Sequence, residues 1–189
     1  MPETDNFSIG ITGHRFLPIE SISSLTTKVQ EFLTEKTNQH GEEKVTVLSS
    51  LAEGADTLCA KLALDAGIRL VVPLPMTALE YREDFKRTAV SKLDCLLSLA
   101  EQVFVVRTED SAPQNPCRGF YYRQAAIYIV KHCDILLAVW DGEERDTRDG
   151  AGTWETIKLA REFGKHIHII DLADVVDGTP RTSHHVTKE

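Results

Sequence analysis

The sequence predicts a three-layer α/β fold, a mostly parallel sheet of about six strands with helices on both faces. Three observations carry this. Six short apolar runs rich in β-branched residues are spread along the 189 residues, as strands require. Segments with helical periodicity separate them. The runs are apolar nearly throughout, the pattern of strands covered on both faces. Strict alternation of the two kinds of segment selects a parallel sheet with right-handed crossovers.

The first run is Phe7–Ile11, and Ile22, Leu25, Val29, Phe32 and Leu33 follow it at the spacing of one helical face. Val45–Leu48 is the second, followed by Ala55, Leu58, Cys59, Leu62 and Ala63 in the same pattern. Leu70–Pro73 leads to a helix marked by Val90, Leu93, Leu97 and Ala100. Val103–Val106 leads to one marked by Ala126, Ile129, Val130 and Cys133. Ile135–Val139 precedes a helix from Gly152 to Phe163, which Gly164 closes as a C-cap, and Ile167–Ile170 ends the series. The order βαβαβαβαβαβ describes a Rossmann-like domain over 1–176. The remainder, 177–189, has no periodicity, contains Gly178 and Pro180, and is expected to be a flexible tail.

Apolar residues make up 42% of the chain and charged residues 26%, close to globular averages. No apolar run approaches a membrane span, and the polar start Met1-Pro2-Glu3-Thr4 lacks a signal-peptide pattern. A cytoplasmic protein without membrane contact is expected. The net charge of −8 argues against a broad nucleic-acid surface, which needs many Lys and Arg contacts. Four scattered cysteines carry no metal-ligand spacing, and His166 and His168 share a strand face without a third ligand, so neither metal nor cofactor is expected.

Ligands of such sheets bind beyond the carboxyl ends of the strands, so the strand-to-helix turns are the candidate sites. In Gly10-Ile11-Thr12-Gly13-His14-Arg15, Gly13 would let backbone amides approach an anion, and Arg15 would add a planar two-donor fork. In Ser49-Ser50-Leu51-Ala52-Glu53-Gly54-Ala55-Asp56, Ser49, Ser50 and the Gly54 amide would meet phosphate and Glu53 would accept from ribose hydroxyls. Glu53 and Asp56 serve equally to offset a helix dipole. Tyr81 would wall a base, or pack on Phe85 four residues on. Asp141, Gly142, Gly150, Gly152 and Thr153 offer a second cradle, with Arg123 and Glu155 adding charge, although Thr153 also suits an N-cap and Glu155 a dipole partner.

Together the segments Gly10–Arg15, Ser50–Asp56, Glu80–Phe85 and Gly150–Thr153 resemble the SLOG superfamily of Rossmann-like domains over roughly 7–170. The superfamily includes Lonely Guy phosphoribohydrolases, DprA proteins and sensor domains. The resemblance implies a nucleotide or nucleotide-derived small molecule as partner, held through Gly13, Arg15, Gly54 and Thr153, with a homo-oligomer left open. It implies as alternatives N-glycosidic cleavage of a nucleoside monophosphate, with Arg123 and Glu155 as catalytic residues, or a DprA-like interaction domain. The enzymes carry a PGGxGTxxE loop. Here its GxGT portion matches Gly150-Ala151-Gly152-Thr153, but the motif's glutamate position holds Thr156, with the acid one residue earlier at Glu155. One residue turns a helical side chain by about 100°.

Overall fold

The computed structural model describes residues 6–107, 116–147 and 151–177. Gly150 and the expected tail from 178 onward lie outside them. The strands are β1 (Phe7–Gly13), β2 (Val45–Leu48), β3 (Arg69–Leu74), β4 (Gln102–Val105), β5 (Ile135–Trp140) and β6 (His166–Asp171). The helices are α1 (Ile22–His40), α2 (Ala55–Asp65), α3 (Ala78–Arg82), α4 (Arg87–Leu99), α5 (Arg118–His132), α6 (Thr153–Glu162) and α7 (Leu172–Asp177). All strand pairs are parallel, in the order β4-β3-β2-β1-β5-β6. Helices α1, α2, α4 and α7 pack side by side on one face, with α5 and α6 together on the other.

The chain builds outward from β1 to β4, then crosses through α5 to place β5 on the free side of β1. The strand order therefore reverses between β1 and β5, and the adjoining turns open the crevice in which such sheets hold ligands. Ile9, Ile11, Val45, Val47, Leu70, Val72, Leu137 and Val139 fill the core around β1. The expectation of strands covered on both faces fails at β4. Its run of valines lies on an edge strand, with Val103 40% and Val105 43% exposed. Among the described residues no helix is long and apolar enough to cross a membrane.

Candidate functional site

The turn after β1 is locked against the start of α2. The Ala55 N–H donates to the His14 carbonyl at 3.0 Å, using a helix-end amide that a ligand would otherwise meet. Gly54 has φ +96°, and a Cβ there would stand 2.3 Å from the Arg15 carbonyl oxygen and 2.5 Å from that of His14. A Cβ on Gly13 would meet the Ala55 Cβ at 2.5 Å and the Val139 Cβ at 2.9 Å. Both glycines thus let backbone and helix approach one another.

Below this turn lies a buried polar group. Ser49 donates to Asp56 Oδ2 at 3.3 Å, and its hydroxyl oxygen accepts the Leu51 N–H at 3.1 Å. That bond supports Leu51, a buried non-glycine residue at φ 59°, a conformation that costs about 1–3 kcal/mol. Ser49 is fully buried and Asp56 nearly so. Burial pushes the Asp56 carboxyl up to about 7, against bonding from Ala52 and Ser49 and the charge of Arg15. Tyr81 is wholly buried, edge-on to Phe85 at 5.0 Å, and its hydroxyl has no partner among the described residues. Ser50 donates to the Pro73 carbonyl at 2.9 Å, tying β2 to β3. Ser49, Asp56 and Tyr81, expected from the sequence as ligand contacts, are buried and form the floor under the turn.

Arg15 rises from this floor. Its Cζ lies 5.5 Å from the centroid of the Tyr122 ring. Burial pulls its pKa down, but the Tyr122 hydroxyl and the neighbouring Asp84 more than offset this, and the net shift is upward. Tyr122 in turn donates to Asp84 Oδ2, which also accepts from Arg118 Nη2 at 2.7 Å. Burial first, and then the bond to Asp84, push the Tyr122 phenol up to about 12, so it remains a donor near neutrality. Arg118 and Tyr122 are four residues apart on α5, one helical face turned to the same carboxylate.

An open cleft of about 410 Å³ is lined by Arg15, Glu53 and Gly54 on one side and by Phe85, Thr88 and Lys92 on the other, a volume within the range of small-molecule sites. A larger hollow of about 630 Å³, beyond β3 and β4, holds Arg107, Arg118 and Tyr121. Its Arg118 is already committed to Asp84 and to the Glu80 carbonyl at 2.7 Å.

The turns after β5 and before α6 form a separate group. His14 joins it across the strand-order reversal, with Nε2 3.1 Å from Asp141 Oδ1 and 3.3 Å from the Asp141 N. A proton on Nε2 serves the first contact, a bare nitrogen the second. Partial burial opposes ionisation of Asp141, yet the Glu143 N–H at 3.0 Å, His14 and Arg145 hold its carboxyl below the ordinary value. Gly142 turns the chain at φ +81°.

Glu155 is 4% exposed. One of its oxygens accepts from the Thr147 N–H and from the Thr147 hydroxyl at 2.8 Å, and the other accepts the Gly152 N–H at 2.9 Å. Glu155, expected from the sequence as a catalytic residue, thus caps its own helix with one oxygen and holds Thr147 with the other. Thr153 is the buried first residue of α6, and the N-cap is Gly152. Arg123 is exposed on α5, one position past Tyr122 and so turned by about 100° from it. Glu155→Ala should leave three donors without their acceptor and cost about 2–3 kcal/mol, a fall of roughly 4–12 °C in Tm measurable by circular dichroism. An unchanged Tm would show that this cap is not formed.

Of the residues expected at the site, the fold gathers Arg15, Glu53 and Gly54 at one cleft and His14 with Asp141 beside it. Sequence reasoning missed Tyr122, Asp84 and Lys92. The i, i+4 pair Arg118 and Tyr122 was the one readable sign of a shared acidic partner.

No family model matches the chain, and no curated protein matches it in sequence. Solved structures do resemble it. DNA processing protein A (DprA) from Streptococcus pneumoniae superimposes with a TM-score of 0.59 at 18% identity, over 93% of this chain and 56% of that one, so the chain spans little more than half of that protein. DNA processing protein A from Helicobacter pylori, whose structure was determined for its single-stranded DNA binding mode, gives 0.56 at 14% identity over 92% and 73%. The protein TM1055 gives 0.52 at 13% identity over 85% and 72%. At identities this low the likeness concerns architecture alone, a Rossmann-like α/β fold with a parallel sheet shared with these proteins.

Proposed function

We propose that the cleft beside Arg15 binds a nucleotide or nucleotide-derived small molecule. Arg15 contacts a phosphate and Glu53 accepts from ribose hydroxyls. The observation that carries this reading is Arg15 itself. Its guanidinium is held over the Tyr122 ring at the carboxyl end of β1, on the wall of an open cleft, with no carboxylate within ion-pair distance among the described residues. A cation fixed in place without a carboxylate in direct contact is prepared for an anion. The binding of DNA by a fold relative agrees with a phosphate-bearing ligand. Binding is favoured over N-glycosidic cleavage because both oxygens of Glu155 are occupied.

Adenine and guanine nucleotides at millimolar concentration should raise the Tm, since a ligand specific for the native state stabilises it. Arg15→Ala should weaken that binding roughly ten- to hundred-fold, the worth of one charge-assisted contact. Stability should fall by about 1 kcal/mol or less, the scale of an exposed cation–π contact. Calorimetric titration beside thermal unfolding separates the two effects. A variant that unfolds early yet binds as before would make Arg15 a residue of the fold and remove the basis of the reading.

A further inference from the structure

The cleft holds more positive charge than one phosphate contact uses. Arg15 lines one wall. Lys92 lines the other, from the second turn of α4. Lys86 stands immediately before α4, its Nζ 5.3 Å from the centroid of the Phe16 ring. None of the three cations has a carboxylate within 4 Å among the described residues. In a chain where acids outnumber bases 29 to 21, cations from the β1 turn and from the start of α4, two of them lining one cleft and none in an ion pair among the described residues, are a local reversal of the overall field. Glu53 is the one acid among the lining residues. Phe16, next to Arg15 in sequence, is 75% exposed, a large apolar ring whose described close neighbour is Lys86.

We propose that the ligand is a nucleoside diphosphate or a longer phosphoanhydride, with one phosphate on Arg15, the next directed to Lys92, and the base against Phe16. This rests on the nucleotide reading above. A nucleoside monophosphate offers one compact dianion, which a single forked arginine serves. A phosphate chain spreads its charge, and lysines on flexible stems meet such a chain as separate point charges. An exposed aromatic ring beside those cations matches a base attached to the chain, because every base has a face to stack.

The test is calorimetric titration of the full chain with adenosine and guanosine mono- and diphosphates and with pyrophosphate. The diphosphate of the preferred base should bind about ten-fold or more tighter than its monophosphate, as one added charge-assisted contact requires. In Lys92→Ala that ratio should fall toward one. In Phe16→Ala the gap between the diphosphate and pyrophosphate should narrow. Equal affinity of the wild-type chain for mono- and diphosphate, or a Lys92→Ala variant that weakens both by the same factor, would overturn the proposal while leaving the nucleotide reading intact. Failure of the folded wild-type chain to bind any of these compounds would overturn both.

Discussion

Asp56→Asn should make the protein more stable than the wild type at neutral and alkaline pH, by an amount that grows with pH. In the unfolded chain the carboxyl releases its proton near its ordinary value of 3.8, and in the fold only near about 7. Well below pH 3.8 both states hold the proton and the shift contributes nothing. Between the two values the unfolded chain releases a proton that the fold retains, so stability declines as pH rises. Above about 7 the decline levels off, at about 4 kcal/mol in total. Asparagine keeps the shape of the protonated acid and its bonding to Ser49 and Ala52 but cannot ionise. The stability difference between variant and wild type should therefore increase by about 2–3 kcal/mol from pH 5 to pH 8. Urea unfolding at each pH measures it, and a difference that stays flat would mean that Asp56 ionises normally. The comparison isolates Asp56, since Glu80 and Asp141, whose carboxyls lie below their ordinary values, are common to both proteins. On the proposed reading the ligand feels this group as well. An anion at Arg15 offsets the cation that eases ionisation of Asp56, so ligand and proton favour one another and affinity weakens as pH rises through about 7.

The architecture was legible because strands buried on both faces write themselves as apolar runs, and the helices between them keep their period. What the runs do not carry is position in the sheet. Val103, Phe104 and Val105 read like a central strand, yet they lie at an edge, because the order of strands depends on where crossovers land. The same distinction governs the site. Arg15, Glu53 and Gly54 stand in strand-to-helix turns, where the topology alone directs attention, and they do line one cleft. Asp56 and Glu155 are carboxylates near helix starts, and such carboxylates look alike in sequence whether they face solvent, cap a helix or sink beneath a turn. Burial decides between these roles, and burial is a property of the assembled layers. Asp84 and Tyr122, 38 residues apart, meet only because α3 and the turn that follows it pack against α5. No local pattern states that contact.

Gly54→Ala should be among the most damaging single substitutions in the chain, costing about 4 kcal/mol and roughly 8–16 °C in Tm. Two separate penalties combine. The backbone at φ +96° is one that residues with a Cβ rarely adopt. The added methyl would also stand 2.3 Å and 2.5 Å from the carbonyl oxygens of Arg15 and His14, and those are main-chain atoms that no rotamer change can withdraw. Relief requires the β1 turn to lift from α2, breaking the bond from the Ala55 N–H to the His14 carbonyl and moving Arg15 from its place over Tyr122. Ligand binding should be lost together with stability, in contrast to Arg15→Ala, where binding falls and the fold largely stays. Gly41→Ala supplies the control. Its φ is +92°, but a Cβ there meets nothing within 4 Å, so it carries the backbone penalty without the collision. The excess loss in Gly54→Ala over Gly41→Ala, read from thermal unfolding, measures how firmly the β1 turn is clamped to the helix. Equal losses would mean that the clamp is slack and that Arg15 is positioned by Tyr122 alone.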